Sequence, residues 1–230
     1  MIRLDRFLSN TTALSRSQAQ RVIRAGRVYV GGTPVKQAAT LVPLTAEVML
    51  DGERIEPPLP RYLMLHKPQG VVCATEDPTH RTAIDLLDLP NPTGLHFAGR
   101  LDIDATGLVL ITDDGQWSHR IVSPGNHCAK RYRVWLADPL TGRDLMRLMG
   151  GVLLRGEKRP TRPAEAERLS DRECLLTISE GRYHQVKRMF AALGNRVTRL
   201  HRESIGPLSL DADLAAGSFR PLTSDEVAFF

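Results

Sequence analysis

Three prolines in four residues, Pro57-Pro58-Leu59-Pro60, divide this 230-residue chain more firmly than any other feature. Proline fixes its own φ, lacks an amide hydrogen and disfavours helix in the residue before it, so neither a helix nor an inner strand crosses this point. The tract reads as a stiff extended linker, with one body at residues 1–58 and a second at 61–230. The second is long enough to bury a substantial core, and the first makes a small module. Hydrophobic content of 42% and charged content of 25% are those of an ordinary globular protein. No apolar run approaches the ~20 residues that span a bilayer, and the N-terminus lacks a signal-peptide core, so a cytoplasmic location away from membranes is expected. Cys73, Cys128 and Cys174 form no C-x-x-C pair, and the histidines show no H-E-x-x-H spacing. A disulfide framework is therefore not expected, nor a metal site.

The first body carries local signals throughout. Leu4, Phe7 and Leu8 recur at helical spacing. Ser15 and Gln18 make a capping box, Ala19, Val22 and Ile23 continue a second helix, and Gly26 supplies its left-handed stop. Val28-Tyr29-Val30, Gly31-Gly32 and Pro34-Val35 read as a hairpin, as do Val48–Leu50, Asp51-Gly52 and Arg54-Ile55. The overall charge is only +5, yet residues 1–36 hold Arg3, Arg6, Arg16, Arg21, Arg24, Arg27 and Lys36 against the single Asp5. A second run, from Arg182 through Lys187, Arg188, Arg196 and Arg199 to Arg202, contains no acid. A charge run alone is usually a solvated face. Two such patches favour a polyanion, because each neutralised phosphate releases counterions.

In the second body, strand-like runs occur at Tyr62–Leu65, Val71-Val72, Leu108–Ile111, Tyr132–Leu136, Glu173–Ser179 and Leu208–Leu210. Helical stretches fall at Ala83–Leu87, Gly115–Ile121, Gly142–Met149, His184–Leu193 and Ser224–Phe230. The irregular spacing predicts an α+β fold with a mixed, largely antiparallel sheet and helices packed on it, rather than repeated strand–helix units. Residues 99–115 carry the densest chemistry. Arg100, Asp102 and Asp104, flanked by Gly99 and Gly107, stand just before an apolar strand closed by Asp113-Asp114-Gly115. A carboxylate at the mouth of a rigid element suits a positioned nucleophile or base. It equally suits an ordinary strand-entry loop.

Gly99-Arg100-Leu101-Asp102 with Gly107-Leu108 and the following turn resembles the catalytic motif of RNA pseudouridine synthases, and of their RsuA-type branch in particular. Lys67-Pro68-Gln69-Gly70, Lys130-Arg131-Tyr132-Arg133-Val134, Glu180 to Met189 and Leu200 to Leu208 match further motifs in the family's order. Arg3-Leu4-Asp5, Ser15-Arg16, Arg21 and Gly26-x-Val28-x-Val30 resemble the RNA-binding module named after ribosomal protein S-four. The resemblance implies a small α/β RNA-binding module followed by a catalytic domain. It assigns Asp102 as the catalytic carboxylate, Tyr132 as the active-site tyrosine, and Lys187 as the basic partner of Asp102. It places Arg100, Leu200, Arg182 and Arg188 against substrate and gives RNA contacts to Arg3, Arg16, Arg21, Arg24 and Lys36. The implied substrate is ribosomal RNA, with 16S at uridine 516 favoured over 23S. It would be met free or in a partly assembled small subunit, by an enzyme expected to be a monomer.

Moving uracil from a nitrogen to a carbon linkage gains and loses no atoms, so no cofactor is expected. Neither a G-x-G-x-x-G nor a P-loop motif is present. Two other readings stay open at this stage. A hydrolase could use Asp102 and Asp104 as paired carboxylates, although a metal would need further ligands. A non-catalytic RNA-binding factor could share the fold. Asp104 reads as a loop residue, and Tyr183 and His184 as positions that tune RNA contacts.

Overall fold

A computed structural model describes residues 1–89 and 92–230, and the chain divides into two units, Met1–Pro60 and Arg61–Phe230. The small unit comprises β1 (Ile2–Arg3), α1 (Leu4–Thr11), α2 (Arg16–Arg24), β2 (Val28–Val30), β3 (Thr33–Pro34), β4 (Leu41–Val42), β5 (Val48–Leu50) and β6 (Glu53–Ile55). The capping box at α2 is present: Ser15 Oγ accepts from the Gln18 amide, and Gln18 Oε1 accepts from the Ser15 amide at 2.7 Å. Gly26 ends the helix at φ +74°. Strands β3-β2-β5-β6 form an antiparallel sheet, and β1 pairs with β4. Leu4, Phe7, Leu8, Ala19, Ile23, Val28 and Val48 are fully buried between helices and sheet, which makes this module's core.

The large unit contains β7 (Tyr62–Lys67), β8 (His96–Phe97), β9 (Thr106–Thr112), α3 (Gly115–Val122), β10 (Lys130–Leu136), α4 (Gly142–Gly150), β11 (Glu165–Ser170) and β12 (Glu173–Ile178). After these come α5 (Gln185–Ala192), β13 (Val197–Ile205), β14 (Leu208–Ser209), β15 (Phe219–Pro221) and α6 (Ser224–Val227). Its sheet runs β11-β12-β10-β13-β9-β7-β15, with β14 on β13 and β8 on β9. Every pairing is antiparallel except β9 with β13, so the sheet is mixed as its spacing predicts. Leu108 and Leu110 face α3 and its Trp117, while Val109 and Ile111 share the opposite core with Val134, Leu176 and α5's Met189 and Phe190. Cover on both faces explains why β9 reads as an unbroken apolar run.

Two expected elements are absent. Val71-Val72 contributes only an isolated bridge from Val72 to Thr82. Ala83–Leu87 is a turn rather than a helix. Thr82 and Asp85 exchange hydrogen bonds there as a capping box would, at 2.8 and 3.1 Å. The apolar run that follows is too short to propagate a helix before Pro90. Conversely, β11, β13 and β15 were not marked by apolar runs. Among the described residues, no helix is long and apolar enough to cross a membrane.

Candidate active site

The parallel junction of β9 and β13 lies at the centre of the site. Gly107 pairs with Arg202 there at φ +108°, and a Cβ at this position would run into the Arg202 backbone. Only glycine satisfies both the conformation and the approach. The chain from Gly99 to Ala105 enters β9 held by two buried cations. Arg202 is 1% exposed, and its guanidinium donates to the carbonyls of Leu108 (2.8 Å), Gly99 (3.0 Å) and Arg100 (3.3 Å). Lys67 is fully buried and its Nζ donates to Ala105 (2.7 Å), Pro68 (3.0 Å) and Ile103 (3.4 Å). Burial pulls the Lys67 pKa down, opposed by the charges of Cys73, Asp104 and Asp102. Hydrogen bonds to charged groups are each worth about 1.5–3 kcal/mol, so this loop is fixed from beneath.

The loop turns Asp102 into a cavity of about 900 Å³. Asp102 Oδ2 lies 2.9 Å from Lys187 Nζ, and Oδ1 lies 3.3 Å from His184 Nε2. Lys187 also reaches Asp104 Oδ1 at 2.6 Å. Burial pulls the Lys187 pKa down, but its hydrogen bonds to Asp104 and Asp102 outweigh that and raise it. Burial pushes the Asp104 pKa up, and Lys187 more than reverses the shift. Lys187 occupies the first turn of α5, which begins after His184 in a left-handed conformation at φ +48°. Tyr132 and Leu200, 7% and 6% exposed, line the cavity with Arg100. A carboxylate, an ammonium, a tyrosine and an aliphatic wall thus meet around one cavity.

Residues 61–192 match the RNA pseudouridylate synthase family, and residues 2–56 match the S4 domain. The chain belongs to the RNA pseudouridylate synthase family. It is 53% identical over 228 residues to "Ribosomal small subunit pseudouridine synthase A" of Yersinia pestis, covering 99% of this chain and 97% of that one. The protein of the same name from Escherichia coli strain K12 is also 53% identical over 228 residues, covering 99% of each chain. A solved structure described as "Crystal structure of pseudouridylate synthase" superposes with a TM-score of 0.72 at 49% identity, covering 99% of both chains.

The remaining residues expected at the site of this pseudouridylate synthase fall in different settings. Arg182 lines the cavity, but its guanidinium is engaged by Glu157 (3.7 Å), Glu180 (3.3 Å) and the carbonyls of Arg159 and Pro160. Arg188 binds Glu157 at 3.0 Å and the carbonyls of Arg155 and Tyr183. With Lys187 on its aspartates and Arg202 buried, the acid-free run at 182–202 is therefore mostly consumed inside the protein. It is not the free polyanion surface that its sequence suggests. In the S4 domain Arg21, Arg24 and Lys36 are exposed. Arg3 and Arg16 instead pair with the fully buried Asp5, at 2.8 and 3.4 Å.

Asp104 reads in sequence as a loop residue and His184 as an RNA contact, and the structure brings both to the Asp102–Lys187 pair, while Lys67 and Arg202 hold the loop from beneath. Arg202 alternates with buried Leu200 along β13 and so shares its face, but no apolar run marks that strand in the sequence. Among the described residues, no group of three or more His, Cys, Asp or Glu is placed to hold a metal.

Proposed function

We propose that this pseudouridine synthase acts on 16S ribosomal RNA, at uridine 516, and that Asp102 is its catalytic carboxylate. The S4 domain grips RNA phosphates through Arg21, Arg24 and Lys36, with Arg3 and Arg16 beside them. The enzyme works in the cytoplasm as a monomer, on ribosomal RNA that is free or in a partly assembled small subunit. The observation that carries this reading is the Asp102–Lys187 pair at 2.9 Å on the wall of a cavity sized for an extruded nucleotide. The names of the 53%-identical relatives support the small-subunit target.

The reaction breaks the bond from ribose C1′ to uracil N1 and forms one to C5. The C5 proton leaves and N1 regains one, so the product is an isomer. Asp102, oriented by its ion pair with Lys187, acts at the glycosidic bond. Tyr132 stacks on the detached uracil and presents its hydroxyl for proton transfer, while Leu200 keeps water from that face. Arg100 stands beside the sugar–phosphate at the cavity mouth. Arg182 and Arg188 hold the segment around Glu157 in place and so shape the cavity's rim.

Asp102→Asn decides the matter. The variant is expected to keep its fold and RNA affinity and to lose pseudouridine formation by at least about a thousandfold. Mapping pseudouridines in ribosomal RNA from cells with and without the protein reads the target. A modification missing from 23S instead would move the assignment, and no missing modification in either RNA would end it.

A further inference from the structure

The cavity holds a second buried cation that the chemistry above does not use. Lys130 opens β10 two residues before Tyr132, on the same side of the sheet, and is 8% exposed. Its Nζ donates to the carbonyl of Cys128 at 2.8 Å and of Ile121 at 3.4 Å. An ammonium has three N–H donors, so one remains. Lys130 lines the cavity together with Ser123, Ser179, Tyr132 and Arg202.

Among the described residues, no anion answers this charge. Among the described residues neither Lys130 nor Arg202 forms an ion pair, and Arg202 spends its donors on backbone carbonyls. The cavity's acids are committed elsewhere: Asp102 and Asp104 to Lys187, Glu180 to Arg182 and Gln185. Burial lowers the Lys130 pKa; the Cys128 thiol opposes this, and the nearby charge of Arg202 adds to it. Buried cations are ordinarily paired, and one left unpaired costs stability. Where such a group borders an open cavity, the missing anion belongs to the ligand.

Distance along the strand says which anion. Two residues of a strand separate Lys130 from Tyr132 by about 6.6 Å. That is the scale between a nucleobase and a phosphate of its own backbone. A cavity of about 900 Å³ is near the upper end of ordinary ligand pockets, roughly 300–1,000 Å³, so it has room for sugar and phosphate beyond the uracil.

We propose that Lys130 is a phosphate-binding residue of the active-site cavity, taking an RNA phosphodiester adjacent to the target uridine while Tyr132 faces the base. This rests on the reading that a uridine enters the cavity at Asp102. Ser123 and Ser179 line the same cavity. The free enzyme carries an uncompensated charge that RNA neutralises on entry.

The test uses the full-length enzyme, a synthetic RNA hairpin carrying the target, and copies with one neutral methylphosphonate linkage walked along the strand. Lys130→Met is expected to weaken binding about tenfold and to lower the slope of log affinity against log salt by about 0.7–0.9, while Lys130→Arg keeps the slope. One neutral linkage next to the target should weaken wild-type binding and cost Lys130→Met nothing further. Which linkage it is distinguishes the 5′ from the 3′ phosphate. An unchanged slope, or losses from linkage and variant that simply add, would overturn the proposal and leave a uracil oxygen as the partner. Should Lys130→Met fail to fold, the wild-type linkage walk still decides, because the proposal requires one linkage near the target to stand out. Pseudouridine formation by wild type on the same hairpin is scored in parallel. Its failure would count against the isomerase reading of that RNA, whereas the slopes judge Lys130.

Discussion

In the small unit the buried charge is an anion, and in the large unit the buried charges are cations. Asp5 is fully buried and gathers Arg3, Arg16 and Gln20, at 2.8, 3.4 and 3.0 Å, from the surface around it. Lys67 and Arg202 are as deeply buried but gather backbone carbonyls between Gly99 and Leu108. The sign of the inner charge sets what each unit shows outward. An inner anion orders arginines, which suits phosphate. Inner cations order a loop without neutralising its side chains, so the loop is left to show a carboxylate. The same means, one desolvated ion with its hydrogen bonds satisfied, thus orders surface arginines in one unit and a carboxylate-bearing loop in the other.

The comparison breaks most violently at Gly107. Alanine there must adopt φ +108° and push into the Arg202 backbone, which parts β9 from β13 and removes the guanidinium from its three carbonyls. Strain of about 1–3 kcal/mol adds to the lost hydrogen bonds, for a destabilisation of at least about 3 kcal/mol confined to the large unit. Hydrogen exchange checks this. Protection should fall in β9 and β13 while α1 and α2 keep theirs. Equal loss in both units would show that the buried charges do not act within separate bodies.

How far the sequence foretells this arrangement follows from the range of the interactions. The helices and hairpins of the small unit are legible because caps, left-handed glycines and two-residue turns act over a few positions, as Ser15, Gln18, Gly26 and Asp51-Gly52 do. The burial of Arg202 is not legible in that way. Its hydrogen-bond partner Gly99 lies 103 residues earlier, so in sequence it looks like one more member of a surface run. Arg182 and Arg188 mislead for the same reason, since Glu157 neutralises both from another segment. The pairing of Lys187 with Asp102 follows from family resemblance, and no spacing rule would supply it. The reach of His184 to Asp102 is not legible in sequence because it depends on a left-handed residue that is not glycine.

Acid sharpens the contrast. Burial pushes the Asp5 carboxyl up, but hydrogen bonds from Arg3 and Gln20 and the charge of Arg16 outweigh it and hold the pKa at about 2. A depressed carboxylate stabilises the fold above its unfolded pKa of about 3.9, and that contribution is lost as pH falls from there toward 2. In the large unit burial lowers His201 to about 4, with His66, Arg199 and Arg133 adding to the shift. A histidine kept neutral by the fold stabilises it above about 6.5, and the contribution is lost as pH falls from 6.5 toward 4. The large unit should therefore weaken first on acidification and the small unit only below about pH 4, as followed by pH-dependent hydrogen exchange. Asp5→Asn should cost the small unit about 2 kcal/mol at neutral pH and flatten its acid limb.

The smallest effect separates positioning by buried cations from positioning by exposed neighbours. His184 is 38% exposed and reaches Asp102 at 3.3 Å, whereas Lys187 holds the other oxygen at 2.9 Å and is itself fixed by Asp104. If the loop is set from beneath by Lys67 and Arg202, the imidazole adds little to the carboxylate's placement. His184→Asn retains a side chain that tolerates φ +48° and shortens the reach. It should lower kcat about threefold, well under the tenfold that 1.4 kcal/mol represents, with KM and the melting midpoint unmoved. A loss of a hundredfold in kcat would mean that the imidazole carries a proton during the reaction. The carboxylate would then depend on the cavity mouth as much as on the ions beneath it, and the contrast between the two units would lose its functional half.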